Sequence, residues 1–143
     1  MTQPVDQFDW IEERLVLILH DRLLALHGGA AGVRDLALLQ SAIARPRQSL
    51  AYSENVDAID LAAAYTVGIV RNHPFVDGNK RTGFLVGIVF LESNRYSFNA
   101  SEPDAAQAVL GLAAGTLDEP GYIAFLRANS APISVKTRVT PPG

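Results

Sequence analysis

The strongest constraint on this chain is a contrast between neighbouring segments. Residues Leu61 to Val70 carry no charge on any side of a helical wheel, and after Gly78 the run of Phe84, Leu85, Val86, Ile88, Val89, Phe90 and Leu91 leaves little polar surface until Glu92 and Arg95. A helix without a wet face has to be buried. Between the two dry stretches lies His73-Pro74-Phe75-Val76-Asp77-Gly78-Asn79-Lys80-Arg81-Thr82, which holds an imidazole, a carboxylate, an amide and two cations. Buried helices have no need of that cargo. Joined by so short a loop, they form an antiparallel pair that amphipathic helices must wrap, so the expected architecture is all-α, with about six helices around the central pair.

The wrapping elements follow from period and punctuation. The segment Asp9 to His27 reads as a helix: Asp9 and Glu12 resemble a capping box, Ile11, Leu15, Leu19, Leu23 and Leu26 share a stripe, and Gly28-Gly29 ends it. A glycine-rich turn leads to Asp35, which caps a short helix through Leu36, Leu39, Ala42 and Ile43 until Pro46 stops it. From Arg45 to Val56 the period is lost, which predicts an exposed loop or a small hairpin. Asp57 opens the first dry helix, which runs to about Asn72. Two more helices are expected, from Pro103 to about Gly115 with Ser101 or Glu102 near the cap, and from Pro120 to about Asn129 with Asp118 capping. Residues 1–130 read as one domain, and 131–143, with Pro132 and Pro141-Pro142, as a flexible C-terminal tail.

Composition narrows the function. A chain of 143 residues, 48% of them apolar, can bury one core. Twelve basic and fifteen acidic side chains give a net charge of −3, so there is no broad positive field for nucleic acid or an anionic membrane, and any bound anion must be held locally. The absence of cysteine excludes disulfides and thiolate-held metals. The N-terminus lacks a signal-peptide pattern, and the longest apolar run, Gly83 to Leu91, is about half a bilayer crossing, so a soluble, cytoplasmic protein is expected.

The loop itself has the parts of a transfer site. Pro74 stops the preceding helix near His73, leaving the imidazole at a helix C-terminus. Gly78 and Asn79 suit the start of the next helix, whose free N–H groups, from about Asn79 to Thr82, make a cradle for a phosphate-sized anion. Lys80 and Arg81 at its rim oppose the helix dipole unless an anion is present. Asp77 either offers an oxygen to Mg²⁺ or caps the following helix. His73 either takes a proton from an attacking hydroxyl or is a helix-end histidine bonded to a backbone carbonyl. Phe75, Phe84 and Phe90 read as core. His20 and His27 have no metal partner at useful spacing and read as structural.

This order of residues resembles the Fic superfamily motif: His-Pro-Phe, two residues, Gly-Asn, Gly or Lys, then Arg. It is similar in particular to the Doc (death-on-curing) branch, as are Gly28-Gly29, Gly32, Arg34-Asp35, Leu38-Leu39, Ser41-Ala42 and Arg45-Pro46 upstream, and Leu61-Ala62-Ala63. The resemblance implies the Fic fold, with His73 as general base, Asp77 as the metal-holding acid and Phe75 as a buried anchor. Gly78, Asn79, Lys80 and Arg81 would form the anion hole. It also implies a target-docking flap at Arg47, Gln48, Ser49, Leu50 and Tyr52. Lys80 stands where nucleotidyl-transferring Fic enzymes usually have glycine, and Phe84 where they have a second arginine. That pair of differences implies a toxin that moves the γ-phosphate of ATP, with Mg²⁺, onto a hydroxyl of elongation factor Tu, so arresting translation, with a Phd-like antitoxin as partner. The alternatives are transfer of AMP to a protein hydroxyl and a non-catalytic binding module. The inhibitory-helix motif of many Fic proteins has no match in this chain.

Overall fold

The computed structural model describes residues 7–133. In chain order these form α1 (Glu13–His27), α2 (Leu36–Tyr52), α3 (Ala58–Asn72), α4 (Asn79–Ser93), β1 (Tyr96–Phe98), α5 (Glu102–Ala114), α6 (Glu119–Ala128) and β2 (Ser130–Pro132). Among the described residues no helix is long and apolar enough to cross a membrane.

The central pair is α3 and α4. Every α3 residue from Leu61 to Val70 is buried, as are Gly83, Val86, Gly87, Phe90 and Leu91 of α4. The two axes approach closely because α4 presents glycines to α3. A Cβ on Gly83 would lie 3.0 Å from Val70 Cγ2, and one on Gly87 would overlap the Thr66 hydroxyl. Thr66 Oγ1 uses the proximity to donate to Gly83 O at 2.7 Å. At the outer end of the pair, Phe8, Trp10, Tyr65 and Phe90 cluster, with the Tyr65 and Phe90 ring centroids 5.2 Å apart.

Three expectations are corrected. First, α2 does not stop at Pro46 but runs through it to Tyr52, so Arg45 to Tyr52 is helix and only the turn before Asp57 remains irregular. Proline forfeits one helical hydrogen bond. Here it falls on the apolar stripe Leu39, Ala42, Ile43 and Pro46, all buried, and Ala42 fits against Gly68 of α3. Packing outweighs the lost bond. Second, α1 begins at Glu13, three residues later than the Asp9 cap would place it, and Glu12 makes no side-chain cap. Asn94 holds the backbone of Asp9 from both sides, accepting from its N–H at 2.8 Å and donating to its carbonyl at 3.1 Å. The buried positions of α1 are accordingly Val16 and His20, while Leu26 is 77% exposed. Third, the helices are joined by a small antiparallel sheet in which Tyr96, Ser97 and Phe98 face Pro132, Ala131 and Ser130. The expected tail therefore begins with a strand, and Ile133 N–H still donates to Arg95 O at 2.8 Å. Residues 134–143 of that tail lie outside the described residues.

Candidate active site

The polar loop between α3 and α4 forms one end of an open cavity of about 800 Å³. His73, Asp77, Gly78, Asn79, Lys80 and Arg81 line that end; Phe84, Phe98 and Val109 help to line an apolar remainder between α4 and α5. Drug-sized ligands occupy cavities of this size and character, apolar with a few convergent polar groups.

His73 closes α3 as its C-cap, in the left-handed conformation (φ 51°, ψ 54°), with its N–H donating to Ile69 O at 3.1 Å. The αR region is disfavoured before proline, and the αL turn stops the helix while leaving the imidazole exposed on the cavity wall. The carbonyls left over at this helix end are taken by Arg34: Nε donates to His73 O at 2.7 Å and Nη2 to Asn72 O at 3.1 Å. Arg34 sits on the glycine-rich connection between α1 and α2, which runs beside the loop. Val33 bridges to Phe75, the N–H groups of Arg34 and Asp35 donate to Pro74 O at 2.6 and 3.0 Å, and Val76 N–H donates to Gly32 O at 3.0 Å.

Phe75 is fully buried, and the His20 ring lies flat against it, centroids 3.8 Å apart and planes 9° from parallel. Asn79, 4% exposed, spends its whole amide on the Phe75 backbone, accepting from its N–H at 2.9 Å and donating to its carbonyl at 3.0 Å. The Asn79 side chain is therefore a clamp inside the loop, and only its main chain is available to an anion. Thr82 N–H is also taken, by Gly78 O at 3.0 Å. The cradle expected from Asn79 to Thr82 narrows to the N–H groups of Asn79, Lys80 and Arg81, which have no carbonyl one turn earlier within α4. The exposed side chains of Lys80 and Arg81 flank it.

Asp77 is not the cap of α4: Gly78 holds that position and α4 has no side-chain cap. Its carboxylate accepts from Gly78 N–H at 2.9 Å and from Ala30 N–H at 3.2 Å, and it remains exposed at the cavity edge. A Cβ on Gly29 would sit 2.9 Å from Asp77 Oδ2, so the glycine lets the connection approach.

The residues expected to form a flap are helical. Arg47, Gln48, Ser49, Leu50 and Tyr52 all lie on α2, and none lines the cavity. Arg47 pairs with Glu12 at 2.9 Å and covers the Trp10 ring, Ser49 bonds back to Arg45 O, Leu50 packs on the core, and Tyr52 is 90% exposed. The element beside the motif is the connection from Gly28 to Asp35. His20, read from the sequence as structural, and Arg34, quoted there only within the resemblance, both turn out to hold the motif loop. His20 lies off the stripe of Ile11, Leu15, Leu19, Leu23 and Leu26 that the period picks out, and nothing in the spacing shows what it meets.

A helical molecule with a His-Pro-Phe loop clamped between its two central helices, and the open N–H groups of a helix start on the same cavity as the imidazole, defines a class of protein. Residues 10–91 match the Fic/DOC family, and the chain belongs to it, with the six helices and small two-stranded sheet of a Fic fold. Within the family it is similar to a protein named Protein kinase doc from Escherichia phage P1, 32% identical over 112 residues that cover 78% of this chain and 88% of that one. It is also similar to a protein named Toxin Doc from Mycolicibacterium smegmatis, 46% identical over 71 residues, 47% of this chain and 52% of that one.

Proposed function

We propose that this protein is a Doc-type toxin that transfers the γ-phosphate of ATP to a protein hydroxyl. The observation that carries the reading is that an exposed imidazole and the open N–H groups at the start of α4 share one cavity wall, with two cations beside them. The relatives named as a protein kinase and a toxin support it.

In this mechanism the target hydroxyl attacks the γ-phosphorus, its proton passes to a ring nitrogen of His73, and the bond to the bridging oxygen breaks to release ADP. Arg34 and the αL turn hold the histidine in place. The α4 N–H groups, Lys80 and Arg81 hold phosphate oxygens and the charge that develops on them. The donor set fits magnesium in the mode that ion prefers. Asp77 supplies one carboxylate, and among the described residues there is no cluster of three His, Cys, Asp or Glu side chains for an all-protein cage; Mg²⁺ takes one or two carboxylates and completes its shell with waters and substrate phosphates. Bound there it would neutralise phosphate charge. Phe84, on the cavity wall and edge-on to Phe98 at 5.7 Å, offers an apolar surface where an AMP-transferring site needs a phosphate contact.

The target we put forward is elongation factor Tu, and the partner that restrains the toxin a Phd-like antitoxin. Incubating the protein with this factor and ATP labelled at the γ or the α position tests the proposal. Label from the γ position alone is expected; label from the α position alone would replace phosphoryl with nucleotidyl transfer. No label from either, with no toxicity on expression, would leave a binding module.

A further inference from the structure

We infer that His20 is a positioning residue that locks the orientation of the Asp77–Gly78 peptide, and with it the anion cradle. Gly78 has φ +80° and ψ 19°, and glycine enters this region and its opposite with similar ease. The peptide before it is therefore free to flip as far as local chain preference is concerned. A peptide unit is planar and trans, so the carbonyl of Asp77 and the N–H of Gly78 point to opposite edges. In one orientation the N–H edge faces the Asp77 carboxylate on the cavity wall; in the other a carbonyl oxygen would face that carboxylate and repel it out of place beside the cradle.

Two hydrogen bonds select the first orientation. Gly78 N–H donates to Asp77 Oδ1 at 2.9 Å, and His20 Nε2 lies 2.8 Å from Asp77 O. A carbonyl oxygen only accepts, so Nε2 carries the proton and donates. The ring is itself enclosed: it is 3% exposed and stacked on the buried Phe75, which Asn79 holds by both backbone polar groups. The first buried face of α1 thus reaches across 57 residues of sequence to set one peptide plane. His20 does not line the cavity, so its effect passes through the loop and it is not a catalytic residue.

The consequence for activity rests on the phosphotransferase reading above; the geometry can be tested without it. In ¹⁵N-labelled protein, long-range ¹H–¹⁵N spectra should show the His20 ring proton on Nε2. A neutral ring protonated only at Nδ1 would overturn the inference whatever the enzyme does. Two variants separate donor from ring. His20→Phe keeps the stack on Phe75 and removes the donor, while His20→Gln returns a donor without the ring. Amide exchange at Gly78, whose N–H the locked peptide holds on Asp77 Oδ1, should speed up in His20→Phe and slow again in His20→Gln. With the helical circular dichroism unchanged, phosphoryl transfer should fall by on the order of a hundredfold in His20→Phe with a raised KM for ATP, and recover roughly tenfold in His20→Gln. Wild-type exchange in His20→Phe, or equal loss in both variants, would reduce His20 to core packing. If His20→Phe does not fold, the proton position in the unaltered protein decides.

Discussion

His73 holds a conformation that costs an L-residue about 1 kcal/mol or more and glycine almost nothing. Its side chain is exposed, and only its backbone is engaged in the turn. His73→Gly should therefore raise stability in urea by up to about 1 kcal/mol, as glycine does at a helix C-terminus, while phosphoryl transfer disappears. A variant less stable than the parent would show that the imidazole supports the fold, contrary to the role proposed for it. At this scale the sequence was informative where chemistry is local. His73, Asp77, Lys80 and Arg81 stand on one cavity wall because a proline and a glycine place them there. It was uninformative about Asn79, whose amide types equally well as an anion donor and as a clamp, and about His20 and Arg34, whose partners lie 57 and 39 residues away.

At the scale of elements, the contact between α3 and α4 is set by what is missing from α4. Gly83 and Gly87 present bare backbone to Thr66 and Ala62, and a methyl group on Gly87 would overlap the Thr66 hydroxyl and come within 3.0 Å of Ala62 O. Gly87→Ala should cost about 1–3 kcal/mol, as overpacking does. Adding Thr66→Ala should return part of the loss, and urea melts of the two singles and the double would measure the coupling. Strict additivity would mean that the helices do not meet at this pair. The dryness of both helices was plain from the sequence; their closeness was not, because small residues advertise no hydrophobicity. Pro46 carries the same lesson in reverse. Local rules end α2 there, yet the residue lies on a stripe that α3 covers, and burial of that stripe carries the helix six residues further. The residues expected in a loop or hairpin after Pro46 are helical for that reason.

For the molecule as a whole, two buried phenols shape stability at high pH. Burial pushes both Tyr65, 1% exposed, and Tyr122, fully buried, up to about 12 from the usual 10. Between those values the unfolded chain has released protons that the folded protein still holds, so this contribution is complete below pH 10 and is lost as the pH rises toward 12. Urea midpoints measured across that window should fall steeply, and Tyr65→Phe should flatten the fall; an unchanged slope in that variant would exclude Tyr65 as a source. By itself the sequence determined that two apolar helices would pair around a charged loop, and which side chains that loop would offer, because hydrophobic period and turn chemistry act within a few residues. Only the tertiary structure decided that Pro46 continues a helix, that residues 130–132 close a sheet, and that the connection from Gly28 to Asp35 runs beside the motif loop. Each of those outcomes depends on a partner surface distant in the chain, and burial against it overrides the local preference.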